Sequence, residues 1–133
     1  MPRFVVQQHF WDKEDWHFDL MLECADALLT FSSAAPPDDP AALPALVRQL
    51  SSHRPDYLTY EGDISGGRGW CRIHDRGSFE WIEPSAPPTD PACCDLLERL
   101  VVRLAGQKAA GTYHLVRETK AGADHWRLRK VTE

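Results

Sequence analysis

Residues 9–23, HFWDKEDWHFDLMLE, gather side chains able to hold a metal and handle a phosphoryl group. Read as a strand, residues 16–23 place Trp16, Phe18, Leu20 and Leu22 on one face and His17, Asp19, Met21 and Glu23 on the other. Two imidazoles and a carboxylate, His9, His17 and Asp19, can bind a divalent transition ion and leave coordination positions open, which polarising a phosphoryl oxygen or activating water requires. His17 and Asp19 already share a face, whereas His9 must be delivered from the end of the preceding strand. A second pair, His53 and Tyr57, brackets the proline turn of HRPDY and offers a proton donor and a hydroxyl to a phosphate if folded toward the first group. Each group also has a plain alternative: surface or core placement for the first three, a helix-end histidine and a packed strand tyrosine for the second.

The elements that position these residues read mostly as short strands. RFVVQQ (3–8), residues 16–23, ALLTFSS (27–33), GTYHLVRE (111–118) and DHWRLRKV (124–131) all have strand character. So do DYLTYEGDI (56–64) and GWCRIHDRGSFEWIE (69–83), the latter folded into a hairpin at Asp75-Arg76-Gly77. Two helices are expected. One covers residues 41–51, with Asp39 as N-cap, Pro40 in the first turn and Leu43, Leu46, Val47 and Leu50 at helical spacing. The other covers residues 92–106, begun by Asp90 and Pro91, ended by Gly106, and striped by Leu96, Leu97, Leu100, Val101 and Leu104. The expected fold is mainly β (α+β): a small antiparallel β-barrel with two flanking helices, formed as one domain over residues 1–133.

Composition narrows the function. A net charge of −5 excludes broad coating of nucleic-acid phosphates but is compatible with an enzyme touching one strand end, and YHLVRETKAGADHWRLRK near the carboxyl end carries five basic residues against two acidic ones. No apolar run approaches a membrane span and the N-terminus lacks signal-peptide features, so a cytoplasmic location is expected. Cys24, Cys71, Cys93 and Cys94 lack Cys-x-x-Cys spacing and are expected to be reduced and buried. The glycine-rich SGGRG stretch (65–69) lacks the phosphate-loop pattern and reads as a turn or barrel corner.

In order, FVVQQH, HFDLMLE, HRPDY, EGDI, the glycine-rich stretch, IHDRGSFEW, YHLVR and HWRLRK span residues 4 to about 130. This succession resembles the 3′-phosphoesterase domain of bacterial DNA ligase D, whose blocks typically read FVVQKH, LHYDFRLE, DHPLDY, EGxIPxGxYGxG, IWDxG, W.LVR and W.L.K. The resemblance implies a small β-barrel that heals DNA 3′ ends with Mn²⁺, removing a terminal ribonucleoside and then the phosphate left behind. Carried across by position, the metal ligands fall on His9, His17 and Asp19, the phosphate-contacting histidine on His53 and the functional tyrosine on Tyr57.

The departures are specific. Met21 stands where DFRLE carries arginine, and a thioether cannot make a guanidinium's forked, charged contacts with phosphate. His9 and His17 lie two residues further apart than in the usual pattern, residues 24–50 lack the WAVPKGP block, and the glycine-rich loop is shortened. Arg54, Arg68 and Arg117 are the candidates to restore a cation, Glu23 shares the metal-facing row, and His74, His114 and His125 sit in strand-like segments. The expected function is Mn²⁺-dependent phosphoesterase action on DNA 3′ ends, with any ligation or polymerisation supplied by a separate partner. The competing expectation is a metal- or DNA-end-binding module of the same fold without turnover; a third is hydrolysis of another phosphoester.

Overall fold

The computed structural model describes residues 1–131. Its strands are β1 (Arg3–Asp12), β2 (Asp15–Cys24), β3 (Ala27–Ser33), β4 (Ala45–His53), β5 (Gly62–Asp63), β6 (Trp70–Glu83), β7 (Arg99–Gly106), β8 (Ala110–Arg117) and β9 (His125–Lys130). Eight of them close an antiparallel barrel in the order β1-β2-β3-β4-β9-β8-β7-β6, with β6 pairing back onto β1, while the two-residue β5 adds to β6. Closure removes the unpaired edges that an open sheet would expose.

Alternation fills the interior. Phe4 and Val6 on β1, Phe18, Leu20 and Leu22 on β2, and Leu29 and Phe31 on β3 join Phe79, Leu100, Val102, Leu104, Tyr113, Leu115, Trp126 and Leu128 in one buried cluster. Val5, Met21 and Leu28 point the other way and pack under Leu58, which a 3-10 turn (Pro55–Leu58) lays over the outside of the barrel. The strand β2 is therefore buried on both faces, one by the core and one by the covering segment. The β2–β3 hairpin turns through Ala25 (φ 48°) and Asp26 (φ 60°), two consecutive left-handed residues that match the strands' twist.

The two expected helices are not present as such. Residues 45–53 form β4, filling the seam between β3 and β9, and residues 99–106 form β7 between β6 and β8. Helical content among the described residues is one short helix, α1 (Pro91–Asp95), and two 3-10 turns, Pro40–Ala42 and Pro55–Leu58. The two N-caps do form: Asp39 accepts from the Ala41 N–H at 3.1 Å and Asp90 from the Ala92 N–H at 3.0 Å. Beyond the second capped turn the chain soon becomes a strand: Leu100, Val101 and Leu104 fit a helical stripe, but Leu100, Val102 and Leu104 also alternate onto the core face of a strand, and only β-sheet pairing closes the barrel.

Nor does Asp75-Arg76-Gly77 turn a hairpin. The strand β6 is continuous, with a bulge where Val6 faces Asp75 while Gln7 faces Ile73, leaving His74 as the extra residue. Pairing with β1 continues past this bulge to Ser78, and pairing with β7 takes over from Gly77 to Glu83. Residues 56–64 are likewise mostly non-strand, made of the 3-10 turn and β5.

Two of the four cysteines are not reduced. Cys24, at the end of β2, and Cys94, in α1, form a disulfide across 70 residues of sequence, while Cys71 is buried and free and Cys93 exposed and free. Sequence spacing could not reveal a bridge made by folding α1 against the end of β2. Cys24→Ser, or reduction of the wild type, is expected to lower stability by about 2–4 kcal/mol through the lost constraint on a long loop, read as a shift of the urea-unfolding midpoint. No helix among the described residues is long and apolar enough to cross a membrane.

Candidate metal and phosphate site

The outward row of β1 and β2 builds the site two rungs at a time. His9 lies opposite His17, and Gln7 opposite Asp19, so the two strands bring the histidines and the carboxylate together by register alone. One ligand atom from each of His9, His17 and Asp19 lies within 4.8 Å of the others. His9 does reach the pair from the far part of β1.

Their hydrogen bonding leaves lone pairs directed at one another. His9 Nε2 is 2.7 Å from the Arg68 carbonyl oxygen, which can only accept, so Nε2 carries the proton and Nδ1, 3.9 Å from Asp19 Oδ2, presents its lone pair. His17 Nε2 and Asp19 Oδ1 are 2.7 Å apart, close enough for an ion pair, yet they are out of line for a hydrogen bond and have no hydrogen-bond partner among the described residues. Asp19 is 3% exposed. A buried carboxylate oxygen and an imidazole nitrogen facing each other without a shared, aligned proton are costly in a dry site. Two imidazoles and a carboxylate with these orphaned atoms fit a divalent transition cation, with the Arg68 carbonyl fixing one ligand's tautomer.

The cluster opens into a cleft of about 440 Å³ whose lining includes His9, Asp19, Met21, His53, Arg54 and Tyr57. His53 ends β4 and Tyr57 sits in the 3-10 turn, with ring centroids 5.6 Å apart, edge to face. His53 Nδ1 lies 2.9 Å from the Ser51 carbonyl oxygen, so Nδ1 holds the proton and Nε2 remains for a ligand. All five residues expected at the site therefore share one neighbourhood.

This arrangement coincides with a family match. Residues 7–117 match the DNA Ligase D 3′-phosphoesterase domain. The chain belongs to that family. It is 33% identical over 98% of its length to the multifunctional non-homologous end joining protein LigD of Pseudomonas aeruginosa, and 29% identical over 86% of its length to the protein of the same name from Mycolicibacterium smegmatis. The aligned part is about 15% of each of those longer proteins.

Within this phosphoesterase-family barrel, several residues not singled out from sequence support the site. Gln7 is 1% exposed and its Nε2 donates to the carbonyls of Tyr57 (2.9 Å) and Tyr60 (2.7 Å), tying the covering segment to β1 directly above Asp19's rung. Its signal was available in the alternation Val5, Gln7, His9. Ser51, Ser52 and Ser65 also line the cleft. Burial pushes the Cys71 thiol up, with the Glu61 and Asp19 charges adding to the effect, so this cleft residue stays protonated.

The candidate cations separate. Arg54 and Arg68 line the cleft, and Arg68 is braced by Ser65 through its carbonyl (2.7 Å) and hydroxyl (3.2 Å), whereas the Arg54 side chain has no hydrogen bond or ion pair among the described residues. Arg117 lies elsewhere, donating to the Leu97 and Asp95 carbonyls and stacked 4.8 Å over Trp126. Glu23, though on the metal-facing row, binds Arg3 at the strand end. His74 pairs with Asp38, and neither it, His114 nor His125 lines the cleft. Met21 does line it, 2% exposed and packed with Val5, Leu28 and Leu58.

Proposed function

We propose that residues 1–133 form one phosphoesterase domain that acts on DNA 3′ ends in repair, removing a terminal ribonucleotide or a 3′-phosphate with Mn²⁺ or a similar ion held by His9, His17 and Asp19. The observation carrying this reading is the unbonded, buried approach of His17 Nε2 and Asp19 Oδ1 beside His9 Nδ1, at the wall of a cleft that also contains His53 and Tyr57. A bound divalent ion supplies charge neutralisation at the phosphoryl oxygens and an acidified water.

The chain's own residues do the rest. His53, its Nδ1 proton committed to Ser51, presents Nε2 to a phosphate oxygen, donating when the ring is protonated. The Tyr57 hydroxyl donates a second hydrogen bond. Arg54, unpaired among the described residues, and Arg68, braced by Ser65, supply the positive charge that Met21 does not. Gln7 keeps the covering segment closed over the rung. A ligase or polymerase would take up the healed 3′-OH.

The test is a primer-template ending in one ribonucleotide or in a 3′-phosphate, assayed with and without Mn²⁺. Metal-dependent release by the wild type is expected, reduced about 10²-fold in His53→Ala and about tenfold in Arg54→Ala. A second reading has a specific observation in its favour, the apolar burial of Met21: the domain binds ends without turning them over. Product from Met21→Arg but none from the wild type would select it over the enzyme.

A further inference from the structure

We propose that Trp11 is a stacking platform for the base of the terminal nucleotide at a DNA 3′ end, an inference that rests on the cleft being an end-processing site. Trp11 shares the outward row with His9, and its ring lies 4.6 Å from the His9 ring and 4.4 Å from the His17 ring, while 49% of the residue is exposed. One side of the indole abuts the metal-site imidazoles and the remainder is open. The neighbouring aromatics are already used: Phe10 stacks on Trp70 at 5.3 Å with planes 7° apart and contacts Trp16 at 5.7 Å, all on the opposite face of the sheet.

A single exposed tryptophan is ordinary on a protein surface. This one is held in place. The turn after it is fixed by the Glu14 N–H donating to Asp12 Oδ1 at 2.7 Å. The backbone of Gly69 (φ 86°) lies so close to the Phe10 carbonyl and to the Trp11 Cα that no side chain fits at Gly69. The same loop places Arg68 against His9 and along the cleft wall. An indole face beside a donor set whose cleft Arg54 and Arg68 also line matches a nucleotide, which carries a π surface and an anionic phosphate together. Phosphate alone would use only the polar part. Stacking tolerates every base, so the platform requires a base without choosing among the four.

The experiment measures binding by fluorescence anisotropy of a labelled primer-template, with Ca²⁺ replacing Mn²⁺ to hold off turnover, for an intact 3′-terminal nucleotide and for the same end lacking its base. The wild type is expected to bind the baseless end about tenfold more weakly. Trp11→Ala should show a similar loss on the intact end and no further loss on the baseless one, and Trp11→Phe should stay close to wild type. Losses that multiply across variant and substrate, or a wild type indifferent to the base, would overturn the platform. So would weakened Mn²⁺ binding by Trp11→Ala, measured calorimetrically, without coupling to the base, since that marks a ring that merely props the histidines. Failure of the wild type to bind either end would overturn the end-processing reading itself, and the platform with it.

Discussion

Asp19→Ala is expected to abolish Mn²⁺ retention and 3′-end hydrolysis together while leaving the barrel folded. Asp19 is the one carboxylate in the His9–His17–Asp19 cluster, 2.7 Å from His17 Nε2 and 3.9 Å from His9 Nδ1. Losing an outer-shell partner of a metal ligand typically costs 10–100-fold, so losing Asp19, if it is the anionic ligand proposed above, should cost about a thousandfold in turnover. The fold should survive because the Asp19 side chain leaves the sheet on the outward face, where Oδ1 makes no hydrogen bond among the described residues. The neighbouring Leu20 points into the core at 3% exposed, and Leu20→Ala should show the reverse pattern: a loss of about 2–4 kcal/mol in stability with the His9–His17–Asp19 cluster intact. Calorimetric Mn²⁺ titration, end-processing rates and urea unfolding on both variants check the contrast. An Asp19→Ala protein that retains Mn²⁺ and turnover would remove the cluster from the reaction.

The same alternation makes the site legible before the fold. A strand through His17, Asp19 and Met21 has only one way to share its faces with Phe18, Leu20 and Leu22, and the observed register then sets His9 against His17. His53 and Tyr57 join them through ordered sequence blocks and not through local pattern, since nothing in HRPDY says that its 3-10 turn lies over β1 and β2. The two strands expected as helices differ from expectation for one reason. In β7, leucine and valine spacing satisfies both a helical stripe and a strand, in β4 only Val47 is buried in the core while Leu46 stays exposed, and local sequence does not report which neighbouring strands await a partner. The bulge at His74 and the Cys24–Cys94 bridge are tertiary in the same sense: one depends on how β1 registers against β6, the other on where α1 lands. Arg54 and Arg68 could be named as cations, but only the folded cleft separates them from Arg117.

Asp75 is expected to be the most costly polar residue to remove. Lying at the β6 bulge and 5% exposed, it accepts four backbone N–H groups: Arg76 (2.9 Å) and Gln107 (3.1 Å) at Oδ1, Lys108 (3.0 Å) and Ala109 (2.7 Å) at Oδ2. Three of these belong to the connection between β7 and β8, so a carboxylate on one strand substitutes for the hydrogen bonds that this tight turn cannot make internally. Gly106 completes the fit, because a Cβ there would collide with Asp75 Oδ2. Asp75→Ala leaves those donors without their acceptor near the end of the core, and about 3–5 kcal/mol of stability should be lost. Asp75→Asn keeps the shape but turns one acceptor into a donor facing backbone N–H groups, so it should recover less than half of that loss. Because the bulge lies outside the lining of the His9–Asp19 cleft, the variants that remain folded should bind Mn²⁺ as the wild type does. Urea unfolding with parallel metal titration tests both statements. A loss under about 1 kcal/mol in Asp75→Ala would mean that water replaces the carboxylate, and that the β7–β8 turn does not depend on it.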